Sequence, residues 1–138
     1  MKKANNLTGK KQTAWKWFSK YIKLKGALET TGNPDYAKCY TCKQIHPMSY
    51  IDCGHMIPGR TNGILFDEQI CEPQCQKCNR MNNGEQQMFK FYKVQDHGEE
   101  WYELKLQARR GNHSLSDNEL KLIADYYREK YNELLNNC

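Results

Sequence analysis

The sequence predicts an α+β fold with helices at both ends of a small, turn-rich centre, and three observations carry that prediction. Apolar residues recur at helical spacing over residues 11–29 and again beyond Ser116. Between these stretches residues 35–75 lose the helical period and collect turn formers: Pro47, Gly54, Pro58-Gly59 and Asn62-Gly63. Two Cys-x-x-Cys pairs, Cys39/Cys42 and Cys75/Cys78, bracket most of that centre.

Taken in order, the N-terminal helix sets Ala14, Trp17, Phe18, Tyr21, Leu24 and Leu28 on its apolar face and lysines on the others. It should stop at Thr30-Thr31-Gly32-Asn33-Pro34. Tyr36–Tyr40 and Met48–Asp52 read as short strands. Residues 76–95 read as a helix interrupted near Asn82-Asn83-Gly84, and residues 98–109 as another, with Trp101, Leu104 and Leu106 as its contacts. The last helix starts at a capping box, Ser116-Asp117-Asn118-Glu119, and aligns Leu120, Ile123, Ala124, Tyr127, Tyr131 and Leu134. The chain divides accordingly into a basic helical arm (1–34), a core (35–95) and a C-terminal helical region (96–138).

Charge is uneven along the 138 residues, whose formal net charge is +5. Residues 1–30 carry eight lysines against one glutamate, whereas the remainder carries 13 basic and 15 acidic side chains. Such an arm suits a polyanion, because lysines gain by releasing counterions from phosphate. A solvated lysine-rich helix accounts for the same charge equally well. Apolar runs are only a few residues long, which excludes a membrane span. No apolar stretch follows the N-terminal lysines, so no secretory signal is expected, and the expected location is the cytoplasm.

Seven cysteines is an odd number, which argues against a fully paired disulfide framework. In a reducing cytosol two Cys-x-x-Cys pairs read instead as one tetrahedral four-thiolate zinc site built from Cys39, Cys42, Cys75 and Cys78. His46 is a conceivable replacement for one cysteine, and a redox dithiol is the competing reading of a pair. Cys53, Cys71 and Cys138 are left without an assigned role.

The segment between the pairs carries Asp52-Cys53-Gly54-His55, and Asn79 follows the second pair directly. Phosphodiester hydrolysis needs an activated water, a cation on the phosphate and a stabilised leaving oxygen. A histidine suits the base, since its ordinary pKa lies near neutrality. A hard cation such as Mg²⁺ or Mn²⁺ takes oxygen ligands, for which Asn79 and Asp52 are candidates, with Asn83 a further one on the same helical face as Asn79. Singly, each has a plainer reading: His55 a polar surface residue, Asn79 a helix cap.

The combination is specific. Cys39-Tyr40-Thr41-Cys42, Asp52-Cys53-Gly54-His55, Phe66-Asp67-Glu68, Gln74-Cys75-Gln76-Lys77-Cys78-Asn79 and Gly84 together resemble the ββα-metal (HNH) nucleases. Within these they resemble most the NinG (Rap) recombination endonucleases of lambdoid phages; phage endonuclease VII is similar too. The helical tail around Asn112-His113 and Leu120–Leu135 shares the likeness. It implies a small zinc-stapled ββα-metal core, and cleavage of branched DNA such as Holliday junctions or D-loops. It also implies His55 as general base, Asn79 as a ligand of a catalytic Mg²⁺, and a bacterial host's cytoplasm as the setting.

Two departures stand out. Gly54 occupies the place where many such nucleases have a metal-binding Asp, which leaves Asp52 as the replacement. On a strand, residues 52 and 55 face opposite sides, so Asp52 reaches the site only if the backbone bends. The middle Asn, five residues before Cys75, is Ile70, so its buttressing of the loop falls to another residue, with Asn62 a candidate. For DNA contacts, Arg60 suits a phosphate and Lys16, Lys20 and Lys23 suit the backbone. A homodimer through the tyrosine-lined last helix would match the two strands of a branched substrate. The rival readings are a non-catalytic zinc module that binds nucleic acid, a protein-interaction module, and a sequence-specific nuclease, for which no reader helix is visible.

Overall fold

The computed structural model describes residues 9–58, 61–111 and 114–138. Helix α1, Gly9–Thr30, buries Ala14, Phe18 and Ile22 along one side, and Leu24, Gly26 and Ala27 around its C-terminal end. It lies against α5, Asp117–Asn136, and against both strand pairs of the centre. Phe18 and Ile22 join Met56, Ile57, Ile64, Ile70, Phe89 and Tyr127 in the main core, so one apolar interior draws on the arm, the centre and the tail. Each such side chain contributes on the order of 1.5–3 kcal/mol by leaving water. None of the described helices is long and apolar enough to cross a membrane.

The centre holds two antiparallel pairs. Strands β1 (Tyr36–Lys38) and β2 (Ile45–Pro47) pair across the first Cys-x-x-Cys turn, and β3 (Ile51–His55) pairs with β4 (Cys71–Cys75). Of the expected Met48–Asp52 strand, Met48–Tyr50 forms a 3₁₀ turn instead, and the strand begins at Ile51. The first hairpin ends at Pro47, and Met48 N–H bonds back to the Asp35 carbonyl, which turns the chain before it can extend. Strand β4, which carries Pro73 at its centre, is not among the strands expected from the sequence. A proline is tolerated in a two-stranded sheet, where its missing N–H can face outward from the ladder. Its carbonyl also accepts from Tyr40 N–H at 2.9 Å, tying the two pairs together.

Between β3 and β4 lie a short helix α2 (Asn62–Leu65), read beforehand as a turn, and a 3₁₀ turn over Glu68–Ile70. After β4 the chain makes a π turn, Lys77–Met81, then breaks as expected. Asn83, Gly84 and Glu85 all have positive φ (54°, 80° and 47°), and helix α3, Gln86–His97, follows. Helix α4 spans Glu99–Arg110. The capping box of α5 forms as expected, with Glu119 N–H donating to Ser116 Oγ and Ser116 N–H donating to the Glu119 carboxylate.

Gly26 lets α1 approach the sheet: a Cβ there would overlap the ring of Pro73. Gly26→Ala should therefore destabilise the fold by about 1–3 kcal/mol through overpacking. Urea unfolding checks this, with a lower midpoint and an unchanged slope expected.

Candidate metal centre and adjoining cleft

The two Cys-x-x-Cys turns converge. The Sγ atoms of Cys39, Cys42, Cys75 and Cys78 all lie within 4.8 Å of one another, with Cys42 and Cys75 at 3.9 Å. Four sulfurs around one zinc at about 2.3 Å each would stand about 3.8 Å apart, so the donor set fits in both chemistry and size. In each turn the fourth residue's N–H points at the first sulfur, Cys42 N to Cys39 Sγ and Cys78 N to Cys75 Sγ, both 3.5 Å. Burial raises the Cys39 thiol, but backbone N–H groups of Cys42 and Cys75 and the Thr41 hydroxyl outweigh it and bring it down to about 6. Cys78, raised by burial and by its cysteine neighbours, stands at about 12. The four can hold a structural metal such as zinc. His46 lies outside this group and packs its ring on Tyr50 instead. All seven cysteines are free of disulfides.

Beside this centre a polar cleft of about 540 Å³ opens between α1 and the second strand pair. Trp15, Ser19 and Lys23 line it from α1, and Asp52, Cys53, Asn79 and Arg80 from the opposite wall. Asn79 is set there by the turn that follows Cys78. Its Nδ2 donates to Asp52 Oδ2 at 2.9 Å, since a carboxylate can only accept. Arg80 adds a two-pronged contact, Nε to Oδ2 at 2.8 Å and Nη2 to Oδ1 at 2.9 Å. Asp52 is 17% exposed and Arg80 61%. The carboxylate oxygens of Asp52 and the remaining carbonyl of Asn79 are of the type a hard divalent cation takes.

His55 is placed differently. Strand β3 keeps an unbroken register from Ile51 opposite Cys75 to His55 opposite Cys71, without the bend that would bring residues 52 and 55 to one face. The His55 ring stacks on Trp15 at 5.2 Å and places Nε2 3.2 Å from the Leu65 carbonyl oxygen. A carbonyl only accepts, so in the neutral ring Nε2 carries the hydrogen and Nδ1 is the basic nitrogen. The structure thus joins Asp52 to Asn79 directly, and links His55 to their cleft through Trp15.

The other candidates divide. Lys23 lines the cleft, whereas Lys16 and Lys20 lie over the Trp17 ring, Lys20 also over Tyr131. Asn83, expected on one helical face with Asn79, sits instead beyond the helix break, exposed, because the left-handed run at 83–85 ends the π turn. Arg60 lies outside the described residues, as do Asn112 and His113. A Cβ on Gly54 would overlap the fully buried Gln74 side chain, so this position has no room for an aspartate. Arg80 was missed by sequence reasoning. Its only signal was a guanidinium directly after Asn79, and nothing in the linear order shows that it meets Asp52, 28 residues away.

Elemental analysis of the purified chain should find about one zinc per molecule. Cys75→Ser should lose it along with much of the fold's stability, and wild-type protein should release it on acidification as the thiolates protonate. Metal-free yet fully stable wild-type protein would refute the assignment.

A comparison with curated proteins and one with solved structures each return no match. A family model, described as NinG: Bacteriophage Lambda NinG protein, matches residues 1–137. With its two cysteine pairs drawn into one metal-sized cluster, the chain belongs to the NinG family of bacteriophage proteins.

Proposed function

We propose that this chain is a metal-dependent DNA endonuclease of the ββα-metal (HNH) type, acting on branched recombination intermediates such as Holliday junctions or D-loops. One observation carries the reading. Asp52 and Asn79 are hydrogen-bonded in a polar cleft whose opposite wall includes Trp15, on which His55 stacks. The zinc staple holds Asn79 in place, since Cys78 is its immediate neighbour.

In this reading the Trp15 face and the Leu65 carbonyl hold His55 so that Nδ1 accepts a proton from water. The resulting hydroxide oxygen bonds to phosphorus, the bond to the 3′ oxygen breaks, and that oxygen takes up a proton. The products are a 5′-phosphate and a 3′-hydroxyl. Asp52 and the Asn79 carbonyl would hold Mg²⁺ or Mn²⁺, which would neutralise charge developing on the phosphate and leaving oxygen. Strand β3 sets Asp52 and His55 on opposite faces, so the reading requires the phosphate to reach from this cleft past Trp15 to the imidazole. Arg80 must then release Asp52, which is only 17% exposed, so the metal would have to replace the guanidinium on that carboxylate; Arg80 itself is 61% exposed and can turn to phosphate. Lys23 contacts phosphate within the cleft, and Lys16 and Lys20 extend the basic surface of α1, with Arg60 a further phosphate candidate. Two copies meeting through exposed Leu122 and Tyr126 of α5 would present two cutting sites to one junction.

The second reading, a zinc module that binds nucleic acid without cutting it, is favoured by Arg80 and Asn79 together occupying Asp52. A cleavage assay on a four-way junction, a nicked duplex and a linear duplex, with and without Mg²⁺, separates the two. Mg²⁺-dependent cleavage of the junction is expected. His55→Ala should lower it by about 10²–10⁴-fold while DNA affinity and zinc content persist. Cleavage unchanged by that substitution removes His55 from the reaction. Lys23→Ala should weaken binding to all sequences alike and reduce the salt slope by about one.

A further inference from the structure

We infer that Asp67 is a positioning residue for His55, acting through the loop 65–70 that brackets the imidazole. This rests on the reading of His55 as the base, and it gives the Phe66-Asp67-Glu68 motif a task that the cleft does not supply.

His55 is gripped from two sides by one short segment. Leu65 presents its carbonyl to the ring Nε2, and Ile70 presents its carbonyl to the N–H of Met56, the next residue, at 2.8 Å. Between those two carbonyls sits Asp67. Its Oδ1 accepts from Gln69 N–H at 3.0 Å, capping the 3₁₀ turn Glu68–Ile70. Its Oδ2 accepts from Lys105 Nζ on α4 at 2.7 Å. Its own N–H bonds to the Ile64 carbonyl at 3.2 Å and its carbonyl accepts from Ile70 N–H at 3.3 Å. Backbone and side chain of this one residue therefore close the turn on both sides of the two carbonyls.

The tether is firmer than a surface ion pair, because both partners are largely covered, Lys105 at 18% and Asp67 at 19% exposure. Neighbours hold the same segment to the frame. Tyr127 donates to Glu68 at 2.7 Å and Trp101 to Gln69 at 3.3 Å. Ile70 offers only its backbone and an apolar side chain, so the side-chain contacts that hold the loop's carbonyls in place fall to the capping carboxylate of Asp67, three residues earlier.

The consequence concerns which ring nitrogen bears the hydrogen. If the Leu65 carbonyl drifts, the neutral ring loses the acceptor that favours hydrogen on Nε2, and its two tautomers mix. The readout is ring ¹⁵N NMR of His55 at a pH where the imidazole is neutral, alongside kcat and KM for junction cleavage. Wild type should show a dominant Nε2–H tautomer. Asp67→Ala should give averaged ring shifts and a kcat lower by about 10–100-fold, the range for losing a group that orients a ligand, with KM little changed. Asp67→Asn, which keeps a capping oxygen, should restore most of both. Lys105→Met, which leaves the cap and removes only the tether to α4, should move the ring shifts the same way by less, and it serves if Asp67→Ala fails to fold.

Unaltered ring shifts in Asp67→Ala, or in Lys105→Met should the alanine variant not fold, overturn the inference. Altered shifts in a protein whose wild type cuts no DNA uphold the positioning role and sink the nuclease reading instead.

Discussion

Four sulfur atoms within 4.8 Å of one another join two turns whose cysteines lie 33 positions apart, and the centre of the molecule is organised by that closure. The strands it serves are three to five residues long, and neither pair could stand alone in water. The apolar cluster around the thiolates is small: Ala27, Ala37 and Ile51, with Met48 and Tyr50 at its edge. An ion held by the four thiolates would supply what so little buried surface cannot, because a metal's binding energy appears as folding energy when the unfolded chain holds no site. Thr41 and Gln74 extend the closure inward. The Gln74 amide donates to Thr41 Oγ1 at 3.1 Å and to the Gly84 carbonyl at 2.7 Å, linking the first cysteine turn to the helix break beyond the second.

From that anchor the cleft follows. The residue after Cys78 is Asn79 and the next is Arg80, so the turn that completes the cluster also delivers a carboxamide and a guanidinium to Asp52. Asp52 is fixed in turn by β3, paired opposite the buried Gln74. The result is a polar network at the edge of a two-stranded sheet. Its most exposed member, Arg80, is also the one whose departure would leave carboxylate oxygens for another cation.

The opposite wall belongs to α1, which is both a structural and a charged element. Its buried side supplies Phe18 and Ile22 to the core, and Gly26 allows close contact with Pro73. Trp15 bridges these roles, touching Phe18 at 5.7 Å and stacking on His55 at 5.2 Å. A basic arm that was merely tethered could bind phosphate. An arm packed into the core can also hold an imidazole.

The linear order determined the elements whose cause is local. Helical spacing and the Ser116–Glu119 box specify α1 and α5, and two short Cys-x-x-Cys turns predict a metal cluster without knowledge of the path between them. The break at Asn82-Asn83-Gly84 was legible for the same reason, since an Asn-Gly step marks a turn by itself. What only the tertiary structure decided depends on residues far apart. Pro73 hid strand β4 because its tolerance there comes from pairing with β3 and from Tyr40, not from its neighbours in sequence. The Asp52–Arg80 pair, the Trp15–His55 stack, the overlap that bars a side chain at Gly54 and the loop held by Asp67 are likewise unreadable from spacing. Each is a contact across 20 or more positions, and a local pattern carries no record of what the chain folds back against.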